Sequence, residues 1–255
     1  MQDKHFGSAG DCVVVEEFLT GREVSVLAFV DGRTVKPMTS AQDHKRAWDG
    51  DKGPNTGGMG CFSPSPFYTA EVDEFCRRAI YQPTVDAMAA EGREFKGVLF
   101  FGLMLTPDGP KVLEYNARFG DPETQVVLCR MENDIMDVVD ACIDGTLEGV
   151  DLRFEDNAAV CVVLASEGYP VSYEKGFEIT VLERFDGMED YYCYHAGSRL
   201  DAQGRVVTNG GRVLGVAAKG ATLKEARSKA YGAAEWVSFD NKYMRYDIGR
   251  AIDEA

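Results

Sequence analysis

The sequence has few long apolar runs, no basic excess and no signal-peptide pattern in its first residues, and each absence argues against a class of protein. No stretch approaches the roughly 18 consecutive apolar residues of a membrane span. The first segment, MQDKHFGSAGDC, has neither the basic start nor the apolar run of a signal peptide. With 27 Lys and Arg against 42 Asp and Glu, the formal net charge is −15. This acidity argues against a general nucleic-acid surface, although local cations or a metal could still hold a nucleotide.

Cysteines and histidines are scattered, which argues against the common redox and zinc motifs. The seven cysteines are odd in number and contain no CxxC, so reduced thiols in a cytoplasmic protein are the better interpretation. The three histidines are too widely separated to suggest a metal triad. The sequence also has no GxxxxGKS/T, no GxGxxG, no GxSxG and no cysteine beside a histidine. The pattern therefore offers no activated nucleophile.

Several stretches predict strands joined by tight turns. The apolar, β-branched run at residues 12–19 predicts a buried strand, and the alternation around Asp31-Gly32 predicts a hairpin. Residues 97–105 predict a central strand that turns at residues 106–109 into a second one. Residues 40–66 between them are polar and rich in Gly and Pro. A loop of that length in a compact domain is usually functional or disordered.

Helices and a second group of strands complete the pattern. Cys76 and Cys142 fall on apolar helix faces and are expected in the core. Near residues 149–157 the pattern changes to short strands with Gly turns, which places a domain boundary near Asp151. The predicted helix signals are a Thr69 cap with a kink at Pro83, an Asn133 cap with a stop at Gly145, and a Thr222 cap with Glu225. The later strands are predicted at residues 178–183, 191–195, 205–208 and 212–216.

The stretch VLEYNARFGDPETQ concentrates polar side chains at the end of a predicted strand. Because alternate residues of a strand share a face, Val112, Glu114 and Asn116 should point one way and Leu113 and Tyr115 the other. Glu114 and Asn116 then form an oxygen-rich pair, and Mg²⁺ commonly takes one or two such ligands from protein. Arg118 follows as a permanent charge that could meet a phosphate. A solvated junction with local ion pairs explains this pattern equally well.

The loop SAQDHKRAWDGDKGPNTGGMG is a second candidate site. Its glycines permit backbone shapes in which successive N–H groups converge on an anion. The alternative is a mobile surface loop, but the polar and charged neighbours favour a site. In EEFLTGRE, a strand end with a solvated carboxylate pair is preferred over a contact with a flat heterocycle. In TNGGRVLGV, a tight hairpin is preferred over a phosphate loop.

The motifs, in chain order, are VVVEEFLTGREVSV, SAQDHKRAWDGDKGPNTGGMG, GVLFFGLML, EYNARFGDPETQ and HAGSRL with VVTNGGRVLGV. Taken together and in this order, they resemble the phosphoribosylamine–glycine ligase family of ATP-grasp enzymes. The resemblance covers nearly the whole chain. It implies an α+β fold in which residues 1–151 form the large ATP-grasp subdomain, an antiparallel sheet with helices, and residues 152–255 form a small α+β domain. The family also has an N-terminal domain and a small ATP-grasp subdomain, which would precede EEFL. The resemblance therefore implies a fragment, with self-association through the apolar surface that truncation would expose.

The resemblance further implies a reaction and its cofactors. In the family, ATP phosphorylates the carboxylate of glycine, and the amine of 5-phosphoribosylamine then attacks the glycyl phosphate, a step of purine synthesis. The cofactors expected are ATP and Mg²⁺ or Mn²⁺, without nucleic acid or membrane. Two alternatives remain: another ATP-grasp ligase with a different acceptor, or a non-catalytic binding module.

Roles carry over position by position from the resemblance. The metal ligands implied are Glu114 and Asn116. The residues implied around the nucleotide are Glu17, Phe18 and Leu19 near adenine and Glu23 near ribose. The residues implied around glycine and phosphoribosylamine are Asp43, Lys45, Arg46, Asn55, Thr56, Gly57, Gly58 and Met59. From charge and location, Arg118 is expected to steady the transferred phosphoryl group and Asp121 to hold the glycine ammonium.

Overall fold

The computed structural model of the protein describes residues 7–254 as a mixture of antiparallel strands and helices. Among the described residues, no helix is both long and apolar enough to cross a membrane. The strands are β1 (Arg22–Asp31), β2 (Val35–Pro37), β3 (Gln42–Asp43), β4 (Arg46–Trp48), β5 (Lys52–Asn55), β6 (Gly60–Ser63), β7 (Lys96–Thr106), β8 (Gly109–Asn116), β9 (Ala158–Ser166), β10 (Tyr191–His195), β11 (Ser198–Leu200), β12 (Val206–Thr208), β13 (Arg212–Gly220) and β14 (Lys242–Tyr243). The helices are α1 (Ala70–Cys76), α2 (Gln82–Ala90), α3 (Glu123–Val127), α4 (Ile135–Asp144) and α5 (Leu223–Ala234), and the turn Arg77–Tyr81 between α1 and α2 is π-helical.

The first sheet has the order β2-β1-β7-β8 and is antiparallel throughout. The hairpin predicted at Asp31 is confirmed, and the Asp31 carboxylate accepts the N–H groups of Arg33 and Thr34 to close its turn. The turn from Thr106 to Gly109 is confirmed as well, since these residues pair across β7 and β8. Strand β7 lies between β1 and β8, so the central strand is also confirmed.

Alternation along the central strands of this sheet sends apolar side chains to both faces. One face packs against α1 and α2, where Phe101 meets the buried ring of Tyr81 with centroids 4.5 Å apart. The other face packs against α4 and the second sheet, through Leu27, Phe29 and Phe100. Cys76 on α1 and Cys142 on α4 are buried, as predicted. A sheet covered on both faces leaves polar chemistry to its ends and edges.

The second sheet has the order β10-β13-β9-β6-β3, with β14 also paired to β9. Strand β9 is buried along its whole length, and α5 covers one face with its alanines. Strands β3 and β6 come before Asp151 and β9 comes after it, yet β6 pairs directly with β9. The boundary near Asp151 stays a prediction, and the segments on its two sides share one sheet.

Some local predictions are wrong where the tertiary partner decides the outcome. Residues 12–19 form no strand, and Val14, Val15 and Phe18 are more than four-fifths exposed. Their β-branched pattern needs a partner strand and a surface to pack on, and the described residues supply neither. The stretch 178–183 makes only isolated bridges at Glu178 and Thr180. Residues 208–216 do not form a hairpin, because β12 pairs with β11 and β13 pairs with β9 and β10.

The helix ends follow the predicted capping chemistry with one exception. Thr69 and Thr222 accept N–H groups at the starts of α1 and α5, and Gly145 ends α4 in the left-handed conformation, all as predicted. The cap of α4 is Asp134 rather than Asn133. Asn133 instead bonds the backbone of residues 151 and 153, which ties the start of the helix to the following connection.

Candidate active site

A cleft of about 720 Å³ opens where the end of the first sheet meets the loop before β4 and the C-terminal segment. Carboxylates and cations from distant parts of the chain line it. Of the predicted site residues, those on the cleft wall are Glu23, Asp43, Lys45, Arg46 and Asn55, and the C-terminal segment adds Arg245, Asp247 and Arg250.

A bulge in β8 sets the direction of the side chains of Glu114 and Asn116, the predicted metal ligands. Glu114 pairs with Gly102, but Val112 pairs with Leu103, so Leu113 is one extra residue. Val112 therefore packs toward α1 and α2, the face on which Tyr115 meets Phe101, and the prediction that it shares a face with Glu114 is wrong. Such bulges re-aim side chains next to binding sites.

The Glu114 side chain crosses the neighbouring strand. A Cβ on Gly102 would lie 2.9 Å from Glu114 Cγ, so the glycine leaves room for this path. Lys45 Nζ lies 3.0 Å from Glu23 Oε2 and 4.0 Å from Glu114 Oε1. Burial disfavours the ammonium of Lys45, but the carboxylates of Glu23, Glu114 and Asp43 together outweigh burial and raise the pKa of Lys45. Lys45 therefore stays charged between the two acids.

Glu114 and Asn116 fit a divalent cation only in partnership with other ligands. Both offer hard oxygen atoms, which suit Mg²⁺. Asn116 Oδ1 lies 3.4 Å from Arg118 Nη2, a weak contact that a cation could replace. Within residues 7–254, no group of three or more His, Cys, Asp or Glu side chains is arranged to hold a metal. The donor set therefore matches a metal that keeps water and phosphate ligands.

Arg118 and Asp121 are not on the cleft wall, and their side chains differ in the number of protein contacts that they make. Arg118 donates from Nη1 to the Phe119 carbonyl at 2.8 Å and is exposed to solvent. Asp121 Oδ1 accepts from Gln125 Nε2, and Oδ2 accepts from Arg212 Nη2, both at 2.8 Å. Both oxygens of Asp121 thus have protein donors.

A buried carboxyl group, Glu123, interacts with Asp43 of the cleft wall. Glu123 is 4% exposed and accepts from Ser25 Oγ at 3.1 Å. Burial raises the pKa of Glu123, and burial followed by the repulsion of Glu123 raises the pKa of Asp43 well above its usual value. Glu123 was part of the motif in the sequence but had no role there. Only the fold shows that it stands behind Asp43.

The glycine-rich loop is not the open anion cradle that the sequence suggested. The N–H groups of Thr56 and Met59 donate to the carbonyls of Lys45 and His44. Those of Gly57 and Gly58 donate to Tyr169 Oη and Thr56 Oγ1. Met59 itself is fully buried in the core. These residues shape the loop from behind, and they are not among those on the cleft wall.

Residues predicted to meet the nucleotide lie mostly outside the cleft. Glu17 pairs with Lys111 of β8 at 2.8 Å, Phe18 is exposed, and Leu19 is partly buried. Glu23 alone reaches the cleft wall.

Arg245, which the sequence motifs do not include, stabilises one wall of the cleft. Arg245 is fully buried and bonds Asp247 Oδ1 at 2.7 Å, Asp51 Oδ1 at 3.0 Å and the Arg46 carbonyl at 3.0 Å. Burial alone would raise the pKa of Asp247, but bonds from Arg245 and the Gly50 N–H lower it to about 2. This network holds the β4–β5 hairpin, which carries Arg46 and Asn55. No local pattern in the sequence signals it.

His44 is a second residue whose structural role the sequence motifs did not predict. Its Nε2 accepts the Gly249 N–H at 3.2 Å, and its Nδ1 lies 3.2 Å from the Gly60 carbonyl. Only the neutral tautomer with the proton on Nδ1 satisfies both contacts. Burial, and then the positive charge of Arg245, lower the pKa of His44 to about 4. His44 thus fixes the backbone between Asp43 and Lys45 against the C-terminal segment.

Two family models match the chain. The phosphoribosylglycinamide synthetase ATP-grasp (A) domain matches residues 1–124, and the C domain of the same enzyme matches residues 159–251. The chloroplastic phosphoribosylamine–glycine ligase of Arabidopsis thaliana is 51% identical over 247 residues, which are 96% of this chain and 46% of that protein. The chain spans about half the length of the curated relatives it matches.

Solved structures agree with the sequence comparison. The phosphoribosylamine–glycine ligase of Thermotoga maritima is 41% identical, with a TM-score of 0.79 over 92% of this chain and 57% of that one. The biotin carboxylase domain of 2-oxoglutarate carboxylase from Hydrogenobacter thermophilus, solved with MgADP, has a TM-score of 0.59 at 15% identity over 87% of this chain and 46% of that one, and it shows the fold alone. The predicted ATP-grasp fold and the family are therefore confirmed. The chain belongs to the phosphoribosylglycinamide synthetase family, and its two parts match the models of the ATP-grasp (A) domain and the C domain.

Proposed function

We propose that this chain is the ATP-grasp and C-terminal part of an enzyme that joins glycine to 5-phosphoribosylamine in purine synthesis. ATP would phosphorylate the glycine carboxylate, and the amine would displace phosphate to give glycinamide ribonucleotide, ADP and phosphate. The observation that carries the proposal is the family membership of both parts of the chain. The cleft supports it, because carboxylates and cations from both parts meet there. A cytoplasmic location belongs to the same proposal.

The nucleotide side of the site rests on the β8 end. Glu114 and Asn116 would hold Mg²⁺, which when bound would neutralise charge on the ATP phosphates. Arg118, exposed beside Asn116, would steady the transferred phosphoryl group. Glu23 would face the ribose, and Glu17, Phe18 and Leu19 would meet adenine. The exposed ring of Phe18 offers an apolar face for a base, which supports this placement.

The acceptor side rests on the loop from Asp43 to Arg46 and on Asn55. Asp43 faces the cleft, with Glu123 near it, and its carboxyl oxygens would accept from the ammonium of glycine, whose positive charge would oppose the raised pKa of Asp43. Lys45 and Arg46 provide positive charge for the carboxylate and for the phosphate of phosphoribosylamine. Catalysis in this arrangement comes from positioning and charge stabilisation, because no nucleophile is needed for the reaction.

The test measures ADP release dependent on glycine, in the 255-residue chain and in a chain extended upstream to the length of its relatives. In the extended chain we expect ADP release with glycine and phosphoribosylamine, but not when acetate replaces glycine. Glu114→Gln should lower it about a hundred-fold or more, because the metal loses its charged ligand. Glu132→Gln, at an exposed carboxylate paired with Arg153, is the matched control and should have no effect. A preference for another carboxylate would favour a different ATP-grasp ligase. Full activity of Glu114→Gln would contradict the metal assignment.

A further inference from the structure

We propose that Arg212, at the start of β13 in the C-terminal part, is a positioning residue of the active site. It joins the turn at Gly57 and Gly58 to the segment that begins at Asp121. The effect on catalysis rests on the proposed function, whereas the effect on the two loops does not.

One guanidinium reaches four acceptors on these two loops. Arg212 Nη1 donates to the carbonyls of Gly57 at 2.7 Å, Asp121 at 2.8 Å and Gly58 at 3.4 Å. Arg212 Nη2 donates to Asp121 Oδ2 at 2.8 Å. The side chain is 21% exposed, so solvent screens the ion pair only in part. A planar fork can serve acceptors in several directions at once, which the single ammonium of lysine cannot do with the same geometry.

The glycines of the turn are explained by this approach. A Cβ on Gly57 would lie 2.9 Å from Arg212 Nη2. Gly58 has φ +113°, and a Cβ there would lie 2.4 Å from Pro122 Cδ and 2.7 Å from Asp43 Oδ1. The turn is therefore packed between Arg212 on one side and Asp43 with Pro122 on the other. Its glycines allow close packing, where the sequence had suggested phosphate binding.

The charge of Arg212 also matters to the neighbouring acids. Glu123 lies within electrostatic reach of both Asp43 and Asp121, and Arg212 is the cation that contacts Asp121. Without it, the Asp121 carboxylate would keep only the Gln125 amide as a donor. The segment from Asp121 to Glu123 would then lose its connection to the turn at Gly57 and Gly58. Arg212 thus holds together the two loops that carry the proposed ammonium site.

Hydrogen exchange measures the positioning directly and needs no activity. In Arg212→Ala, we expect the amides of residues 56–59 and 123–125 to exchange about ten-fold faster or more than in wild type, because local opening costs less. Arg212→Lys keeps the charge but loses the fork, so we expect it to resemble Arg212→Ala. Arg205→Ala removes an arginine paired with Asp201 and Glu178 in the same part of the chain, and it should leave these amides unchanged.

The second readout is the kinetics of the extended protein. We expect Arg212→Lys to raise the KM for glycine about ten-fold while the KM for ATP changes less than two-fold, because only the acceptor side is displaced. Equal changes in both KM values would indicate general damage and overturn the positioning role. Wild-type exchange rates in Arg212→Lys would overturn the inference even if Arg212→Ala failed to fold. Loss of protection without any glycine-dependent ADP release in wild type would support the inference and contradict the proposed function.

Discussion

Replacing His44 by glutamine should remove a pH dependence of stability that the fold builds in. The imidazole of His44 is buried and neutral, with Nε2 accepting the Gly249 N–H. Protonation would place a proton on Nε2, so that two donors, this N–H and the Gly249 N–H, would face each other. Glutamine carries an amide that can replace one of the two contacts and does not titrate in the accessible range.

The size of the effect follows from the pKa of His44. Burial and the facing Arg245 lower this pKa from 6.5 to about 4, while Asp51 and Asp247 oppose the change. Because the folded pKa is lowered, stability is fully present above about pH 6.5 and is lost as the pH falls toward 4. At about 1.4 kcal/mol per pKa unit, the whole contribution is about 3 kcal/mol. Roughly 2 kcal/mol of it should disappear between pH 7 and pH 5.

The assay is reversible urea unfolding of wild type and His44→Gln at both pH values. Wild type alone mixes opposite slopes, because the raised pKa values of Asp43 and Glu123 favour the folded state as the pH falls. The difference between the two proteins isolates His44. At pH 7 the variant should be less stable by about 1 kcal/mol for its lost bond, and at pH 5 it should equal or exceed wild type. His195→Gln, at an exposed histidine, is the matched control.

A stability difference between wild type and His44→Gln that is the same at pH 7 and pH 5 would refute the reasoning. It would mean that the imidazole is solvated, or that Gly249 moves to accommodate the imidazolium. A ¹H–¹⁵N NMR spectrum of the His44 ring nitrogens that shows the proton on Nε2 at neutral pH would refute the tautomer independently.

Two further substitutions test the packing of the core beside α1 and α2 and of the turn at Gly58. Leu103→Ala should lower the free energy of unfolding by about 2–5 kcal/mol, because Leu103 is fully buried on the α1–α2 face, whereas Leu200→Ala at a 65% exposed position should cost less than about 1 kcal/mol by the same urea assay. Gly58→Ala should lower it by about 2 kcal/mol or more, because φ is +113° and the new Cβ meets Pro122, and a calorimetric melting temperature equal to wild type would contradict that packing.

The sequence predicted those features that are decided within a few residues. The turns after β1 and β7 depend on local side chains, such as Asp31 accepting the N–H groups of its own turn. The caps at Thr69 and Thr222 each depend on a hydroxyl three residues before the N–H that it accepts. The shared face of Glu114 and Asn116 depends only on the alternation of a strand.

Predictions failed where a distant partner decides the outcome. The apolar run at residues 12–19 has the pattern of a strand, but no pattern reveals whether another strand lies beside it. Val112 was assigned to the wrong face because the bulge at Leu113 depends on the register with β7. Arg212, Arg245 and His44 act on partners 91, 194 and 205 residues away. Such contacts follow from the fold and leave no local signal.

These long-range contacts imply that the C-terminal part is a wall of the site rather than an accessory to it. Arg212 holds the glycine turn, Gly249 fixes His44, and Arg245 fixes the β4–β5 hairpin, so each loop on the acceptor side has a tie to residues beyond 200. The shared sheet of β6 and β9 connects the same two parts through the core. A change that loosens the C-terminal part should therefore act on the acceptor side of the cleft first. The proposed metal pair, Glu114 and Asn116 on β8, belongs to the first sheet and should be the last element of the proposed site to be affected.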